Sequence, residues 1–202
     1  MMFSKVIDKG SGPTRVFVGG VHGKEGLTTL NLIQLLDEND VKDGKLLLYN
    51  CPETKYISTL NPLYYHSPMG EKILKLIKTH KPEIYVELHC YKPESYLKLI
   101  DIERKKKVGV PPLIELEHNV LISSVAPYLR TNFFKRNDVC ITLEMPCRPT
   151  ENSTNVYLEV MKAIAGSRNR SEFEDKLKIK YPSQVIRAQR YAAEFFGEYP
   201  AF

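Results

Sequence analysis

The segment RVFVGGVHGKEG, residues 15–26, joins a run of β-branched and aromatic residues to a glycine-rich turn. The run is typical of a buried strand, and the pair Gly19 and Gly20 predicts the turn that ends it. A helix is predicted next, because leucine and isoleucine recur at near-helical spacing through EGLTTLNLIQLLDEND. The segment therefore predicts a strand–turn–helix unit whose turn carries a histidine, His22, and a glutamate, Glu25.

Strands and helices alternate along the rest of the chain. Strands are predicted at residues 44–50, 83–91, 95–101 and 138–146, and one within EHNVLISSVAPYL. Helices are predicted at SPMGEKILKLIKTHKP, at TNVYLEVMKAIAG and in the tail that follows. This alternation is typical of an α/β fold, here a mostly parallel mixed sheet flanked by helices on both faces.

The composition is that of an ordinary globular chain. With 202 residues and 43% hydrophobic content, the chain suits a single domain over residues 1–202. The N-terminal stretch MMFSKVIDKGSGPTR lacks the apolar core of a signal peptide, and no apolar run approaches the about 18 residues that span a bilayer. We therefore expect a cytoplasmic protein with no membrane partner.

The charged and cysteine residues exclude several classes of protein. The net charge is +5, and its densest basic run, ERKKKVG at residues 103–109, is expected to be a solvated loop rather than a nucleic-acid site. The four cysteines form no CxxC pair, so neither a zinc ribbon nor a thioredoxin motif is indicated, and free thiols are expected. Three of them, Cys51, Cys90 and Cys147, follow predicted strand ends, where a thiolate is a possible zinc ligand although a small buried thiol is commoner.

Polar residues stand where the predicted strands end. Ligands of open α/β sheets bind outside the carboxyl ends of the strands. His22 and Glu25 follow the first of these strands, His89 ends the strand at residues 83–91, and Glu144 lies near the end of the strand at 138–146. Two histidines and one glutamate form a known catalytic zinc set with a fourth position left for water. The additional carboxylate of Glu144 is suited to accept a proton from the attacking water and to pass it to the leaving group.

Three of these segments also resemble the motifs of a known superfamily. GGVHGKEG, YVELHC and CITLEMP are similar, in order and spacing, to motifs of the zinc carboxypeptidase-like hydrolases, particularly the succinylglutamate desuccinylase/aspartoacylase branch. The similarity extends from residue 14 to about residue 165, with Glu87 in place of an aspartate of the branch. The chain also resembles an uncharacterised archaeal group within the superfamily.

The resemblance implies the α/β fold of these hydrolases and one Zn²⁺ ion as the cofactor. Iron, cobalt and nickel stay open as alternatives for the same ligand set, since affinity alone does not fix the identity of the metal. Residue by residue, it implies His22, Glu25 and His89 as the zinc ligands and Glu144 as the general base and acid. The smaller C-terminal β domain of many of these acylases is not expected, because the chain ends in predicted helices.

The substrate-recognition half of the family pattern is altered. The arginine that follows Asn61 in the family, and that holds substrate there, is Pro62 in this chain. A developing oxyanion is stabilised by preorganised positive charge, so another cation is expected to replace it. Arg148 is the nearest candidate in sequence to Glu144, followed by Lys92 and Arg104. Asn61, Arg148 and Lys92 are the predicted substrate-binding residues.

Three functions remain open from the sequence. The first is hydrolysis of an amide bond in an N-acyl amino acid or a peptide-like substrate, and the positively charged loops favour a substrate that bears a carboxylate. The second is a catalytically degenerate module that retains the fold and binds a metal or a ligand. The third is nucleic-acid binding through residues 103–107 and the basic tail near Arg187 and Arg190, which no RNA-binding motif supports.

Overall fold

In residues 2–202, which the computed structural model describes, seven strands form one mixed sheet in the order β1-β3-β2-β4-β7-β6-β5. The strands are β1 (Phe3–Lys9), β2 (Thr14–Gly19), β3 (Gly44–Asn50), β4 (Ile84–Tyr91), β5 (Ile114–Glu115), β6 (Leu121–Ser124) and β7 (Val139–Pro146). The four central strands, β3, β2, β4 and β7, are parallel to one another. The outer strands β1, β6 and β5 each pair in antiparallel fashion. The carboxyl ends of the parallel strands therefore meet at one edge of the sheet.

Helices cover both faces of this sheet. They are α1 (Gly26–Ile33), α2 (Pro68–His80), α3 (Tyr96–Leu99), α4 (Arg104–Val108), α5 (Pro127–Phe133), α6 (Glu151–Ala165), α7 (Arg170–Lys180) and α8 (Pro182–Phe196). Helices α1, α6, α7 and α8 contribute to the apolar core on one face, and α2 and α5 to the core on the other. The predicted α/β class, a mostly parallel mixed sheet with helices on both faces, is confirmed.

The central strand β4 is buried along its whole length and differs between its two faces. Val86 and Leu88 belong to the core that includes α1 and α6. Successive side chains of a strand point to opposite faces, so Tyr85, Glu87 and His89 lie on the other face. Tyr85 belongs to the second core, with α2 and α5. Buried charge is thus confined to one face of β4.

Two of the local predictions are wrong. Residues 95–101 form no strand; a 3₁₀ turn at Pro93–Ser95 runs into the short helix α3. Proline favours the first turn of a helix, and Leu97, which lies 74% exposed, faces solvent rather than a sheet neighbour. The basic run at residues 103–109 is not a loop either, because it forms helix α4 with its three lysines exposed.

The expectation of four free thiols is also wrong. Cys90 and Cys147 form a disulfide, whereas Cys51 and Cys140 are free within residues 2–202. Strands β4 and β7 pair in parallel, and the backbone N–H of Cys147 donates to the carbonyl of Tyr91 at 2.9 Å. This pairing brings the Cα atoms of the two cysteines to 4.8 Å although 57 positions separate them in sequence. A sulfur in a disulfide is not a thiolate, so neither residue is a zinc ligand in this state.

No helix in residues 2–202 is long and apolar enough to cross a membrane.

Candidate metal centre

The turn after β2 is built from glycines that permit a close backbone approach. Gly20 has a φ of +69°, and a Cβ there would lie 1.7 Å from the carbonyl oxygen of Cys51. Gly23 has a φ of +64°, which side-chain-bearing residues rarely adopt. This tight turn, pressed against the segment that follows β3, places His22 beside Glu25 at the start of α1.

Buried hydrogen bonds fix the turn from two sides. Asn50, at the end of β3, donates from Nδ2 to the carbonyl of Gly26 at 2.9 Å and accepts from the hydroxyl of Thr29 at 2.7 Å. On the other side, the buried hydroxyl of Tyr64 donates to the carbonyl of Val21 at 2.8 Å. The backbone that carries the candidate ligands is therefore held in place by side chains from β3, α1 and the 3₁₀ turn at Pro62–His66.

The structure brings His22, Glu25 and His89 together, each offering one ligand atom within 4.8 Å of the others. Nδ1 of His22 lies 3.1 Å from Oε1 of Glu25, and Nδ1 of His89 lies 3.2 Å from Oε2. Glu25 is 7% exposed and His89 is 2% exposed. Two imidazoles thus converge on one buried carboxylate at the carboxyl edge of the sheet.

The cluster fits a divalent metal ion by its chemistry and by an unused atom. Nδ1 of His22 is buried, and although it lies 3.1 Å from Oε1 of Glu25, it forms no hydrogen bond with any described residue. A buried polar atom without a hydrogen bond is costly unless another partner occupies that position. Two imidazole nitrogens and a carboxylate form the donor set of a catalytic zinc site with an open position. These three residues therefore could hold a metal ion.

The charged groups in the cluster stabilise one another in their ionised forms. Burial raises the pKa of Glu25, but the neighbouring imidazoles of His89 and His22 outweigh burial and lower the pKa to about 2. Burial likewise disfavours the charged form of His89, yet the carboxylates of Glu25 and Glu87 raise its pKa well above the usual value. Without a metal, the buried carboxylate of Glu25 is neutralised by imidazolium, which is the charge a cation would replace.

Glu144 lies beside this cluster on the adjacent strand. In the parallel pairing of β4 with β7, the Cα partner of His89 is Glu144. Leu88 and Leu143, the preceding partners, both face the core under α1 and α6, so His89 and Glu144 share the opposite face. The carboxylate of Glu144 therefore stands next to the imidazole of His89.

The surroundings of Glu144 shift its pKa in the direction that proton transfer needs. Burial raises the pKa of this carboxyl group, and the negative charge of Glu25 raises it further. The positive charges of His89, His22 and Arg104 oppose this increase without cancelling it. A carboxyl pKa moved toward neutrality suits a group that first accepts and later donates a proton.

The predicted substrate-binding residues all lie exposed at the surface. Asn61 is exposed, and its side chain caps the 3₁₀ turn by accepting from the backbone N–H of Leu63 at 3.0 Å. Lys92 and Arg148 are exposed, and their side chains make no hydrogen bond or ion pair within residues 2–202. The role of these three residues in binding substrate stays a prediction.

Two neighbours of the cluster have no role in the predicted site, although Glu87 stands in one of the family motifs. The ring of Tyr56 stacks edge-on against His22 with 5.0 Å between centroids, although Tyr56 is 71% exposed. Glu87 lies 3.5 Å from Nε2 of His89 on the face opposite the aliphatic core. The sequence could have predicted that Glu87 lies near His89, because a glutamate two residues before a histidine on a strand shares the face of that histidine.

The fold and the cluster together define an α/β protein with a candidate metal centre at the carboxyl edge of a mixed sheet. Residues 10–197 match the family model described as "Uncharacterized protein conserved in archaea (DUF2119)", and the chain belongs to this family. The "Uncharacterized protein MJ0501" of Methanocaldococcus jannaschii is 38% identical over 192 residues, which cover 93% of each protein. The predicted membership of an uncharacterised archaeal family is confirmed, whereas the place of this family in the hydrolase superfamily and its branch stay predictions.

Three solved structures resemble the chain at low sequence identity. An aspartoacylase family protein from Mesorhizobium loti has a TM-score of 0.44 and 14% identity, and the match covers 83% of this chain and 62% of that protein. A succinylglutamate desuccinylase/aspartoacylase from Rhodobacter sphaeroides has a TM-score of 0.41 and 14% identity, and the match covers 82% of this chain and 63% of that protein. A metallo-carboxypeptidase from Pseudomonas aeruginosa has a TM-score of 0.40 and 13% identity, and the match covers 88% of this chain and 60% of that protein. The chain thus spans about three fifths of the length of these proteins, and its function has to be argued from its own residues.

Proposed function

We propose that this chain is a zinc-dependent hydrolase that cleaves an amide bond in an N-acyl amino acid or a peptide-like substrate. The observation that carries the proposal is the buried convergence of His22, Glu25 and His89, with Glu144 next to His89 across the β4–β7 pairing. A purely structural zinc site is closed by four ligands and has no use for an adjacent free carboxylate. We further propose that residues 1–202 act as one catalytic domain of the succinylglutamate desuccinylase/aspartoacylase type.

Each residue of the cluster has a distinct task in this proposal. When bound by His22, Glu25 and His89, Zn²⁺ would supply Lewis acidity that polarises the substrate carbonyl and lowers the pKa of water. Glu144 accepts a proton from the attacking water at its carboxylate and donates it to the leaving nitrogen. Glu25, with its lowered pKa, stays ionised throughout. The buried hydrogen bonds of Asn50 keep the ligand turn in place while the proton moves.

The charges near the site favour a substrate that carries a carboxylate. Arg104 is close enough to Glu144 to oppose the increase in its pKa. Lys92 follows β4 directly and Arg148 stands two residues after β7, so both emerge at the edge where the cluster lies. We propose that Lys92, Arg148 and Asn61 contact the substrate. The cytoplasmic location and the absence of nucleic-acid and membrane partners also stay predictions.

A second candidate function is a metal-binding or ligand-binding module without turnover. Pro62 favours this alternative, because it begins a 3₁₀ turn at the position where the related hydrolases have an arginine. The two functions differ in what Glu144 does. In a binding module its removal has no effect on chemistry, whereas in a hydrolase it removes the proton carrier.

The test compares native protein with Glu144→Gln. We expect about one zinc per chain in both proteins, measured by elemental analysis of material purified without a histidine tag. We expect hydrolysis of a panel of N-acyl amino acids and small peptides to fall by about 10²- to 10⁴-fold in the variant. Glu159→Gln, an exposed change on α6, serves as the matched control.

The outcomes separate the candidate functions. Zinc binding with no turnover of any substrate in the native protein would support the binding module. Absence of zinc from the native protein, with no increase in melting temperature when zinc is added, would contradict the hydrolase and point to a degenerate fold used for ligand binding.

A further inference from the structure

Glu87 is a buried carboxylate that the proposed reaction does not use. It is 1% exposed and lies on the same face of β4 as His89. Its Oε2 has no hydrogen-bond partner among the described residues. A buried carboxylate oxygen without a hydrogen-bond partner substantially lowers the free energy of unfolding. The burial of Glu87 at this position therefore needs a physical explanation.

The other polar groups near Glu87 are already engaged. The hydroxyl of Tyr85 donates to Oε1 of Glu87 at 3.0 Å. The hydroxyls of Tyr64 and Tyr65, whose raised pKa values reflect burial first and the charge of Glu87 second, both donate to backbone carbonyls instead. The group that faces Oε2 is Nε2 of His89, at 3.5 Å.

We propose that Glu87 is a positioning residue that accepts the Nε2–H of His89 and thereby directs Nδ1 of this imidazole toward Glu25 and the metal. An imidazole that coordinates through one nitrogen holds its proton on the other, and an acceptor there fixes both the tautomer and the ring orientation. Nδ1 of His89 is the atom that faces Glu25, at 3.2 Å, so Nε2 is the nitrogen left to donate. The inference rests on the metal centre of the proposed function.

Tyr85 completes the arrangement. Tyr85, Glu87 and His89 occupy alternate positions of one buried strand, so their side chains form a row along a rigid element. The Tyr85 hydroxyl holds one oxygen of Glu87, and the other oxygen is directed to the imidazole. Through these contacts, two side chains of the rigid strand β4 restrict the orientation of the His89 ring and so the position of its Nδ1.

The experiment measures zinc affinity by competition with a chromophoric chelator in native protein, Glu87→Gln and Glu87→Ala. We expect Glu87→Ala to weaken zinc binding by about 10- to 100-fold, as loss of such an acceptor does at other metal sites. Glu87→Gln keeps an acceptor oxygen and the same shape, so its loss should be smaller than that of the alanine variant. Glu174→Gln, at another buried glutamate on α7, should leave the affinity unchanged.

A spectroscopic readout separates positioning from general damage to the fold. In zinc-loaded protein labelled with ¹⁵N-histidine, the His89 proton should reside on Nε2, with the downfield shift of a hydrogen bond to a carboxylate. This shift should decrease in Glu87→Gln, so the proposal remains testable if Glu87→Ala does not fold.

The results distinguish the proposed function of the protein from the positioning role of Glu87. If native protein binds no zinc, the proposed function is overturned and this inference with it. If native protein binds zinc but both Glu87 variants bind within about twofold of it, or if the His89 proton resides on Nδ1, the positioning role alone is overturned.

Discussion

The two faces of β4 carry different kinds of side chain, although both are buried. On one face, Val86, Leu88 and Cys90 belong to an aliphatic core with α1 and α6. On the other face, Glu87 and His89 are equally buried but carry titratable groups. Central strands of parallel sheets usually read as continuous apolar runs because both faces are covered. The difference indicates that one face of this strand stabilises the fold while the other holds the candidate site.

Burial of side chains stabilises the fold on the aliphatic face of β4 and costs free energy on the polar face. Full burial of a side chain such as Leu88 contributes about 1.5–3 kcal/mol to stability. Burial of a charged group costs free energy unless it is paired, and His89 is paired with Glu25 and Glu87. The polar face is therefore tolerated because its members compensate one another, and a change to a single member should act on the site more than on the core.

The largest expected effect comes from two adjacent substitutions on opposite faces. His89→Ala should weaken zinc binding by roughly a thousandfold, because one of three protein ligands is removed. Leu88→Ala should instead lower the free energy of unfolding by about 2–5 kcal/mol, because it leaves a cavity in the core. Zinc per chain and urea denaturation, measured on both variants, check the pair. Loss of zinc from folded Leu88→Ala would show that the two faces are not separable.

The disulfide gives the next largest effect. Replacing Cys90 and Cys147 by serine should lower stability by about 2–4 kcal/mol, because the crosslink restricts the unfolded chain. Zinc content should be retained, since Cys90 belongs to the aliphatic face and not to the cluster. Thermal unfolding with and without a dithiol reductant measures the loss. Cys51→Ser, at a free cysteine, keeps the disulfide and should lose as much stability on reduction as native protein does. The double serine variant should be insensitive to the reductant, and a reductant response that persists there would contradict the assignment.

Tyr157 tests whether the aliphatic side contributes to site geometry. From α6, its buried hydroxyl lies 3.0 Å from the carbonyl of Leu143 and 3.3 Å from that of His89. Tyr157→Phe should cost about 1 kcal/mol of stability, the usual net value of a hydrogen bond. Zinc affinity should stay within about twofold if the two faces are independent. Tyr128→Phe, at a half-exposed tyrosine on α5, is the matched control for the urea titration.

The sequence predicts the parallel centre of the sheet well and its edges poorly. The predictions of strands β2, β3, β4 and β7 are confirmed. These strands are predictable because a strand buried on both faces has a compact run of apolar residues in its sequence. Strand β1 was not predicted, because it lies at the sheet edge with mostly exposed or half-exposed residues and carries little apolar periodicity. The strand predicted at residues 95–101 was wrong for the converse reason, since alternation of apolar residues also fits a short helix that lies on the surface.

For the candidate site, what the sequence shows depends on the distance along the chain. His22 and Glu25 share one turn, so their proximity is a local property that spacing reveals. Their approach to His89 followed from the rule that parallel strands end at one edge, and the structure brings the three together; their role as ligands stays a prediction. The contact of Glu87 with His89 and the Cys90–Cys147 bond depend on side-chain direction and on the β4–β7 register, which the sequence does not specify.

The disulfide also makes residues 90–147 a closed covalent ring. This ring contains α3, the lysine-rich helix α4, α5 and the antiparallel strands β5 and β6. A protease that cleaves the exposed lysines of α4 would open the ring without separating the chain into two pieces. Both pieces would stay joined at the bond that directly follows His89 on β4 and lies three residues past Glu144. A cleaved molecule would therefore run as one species on a non-reducing gel and as two after reduction, while the carboxyl ends of β4 and β7 remained linked.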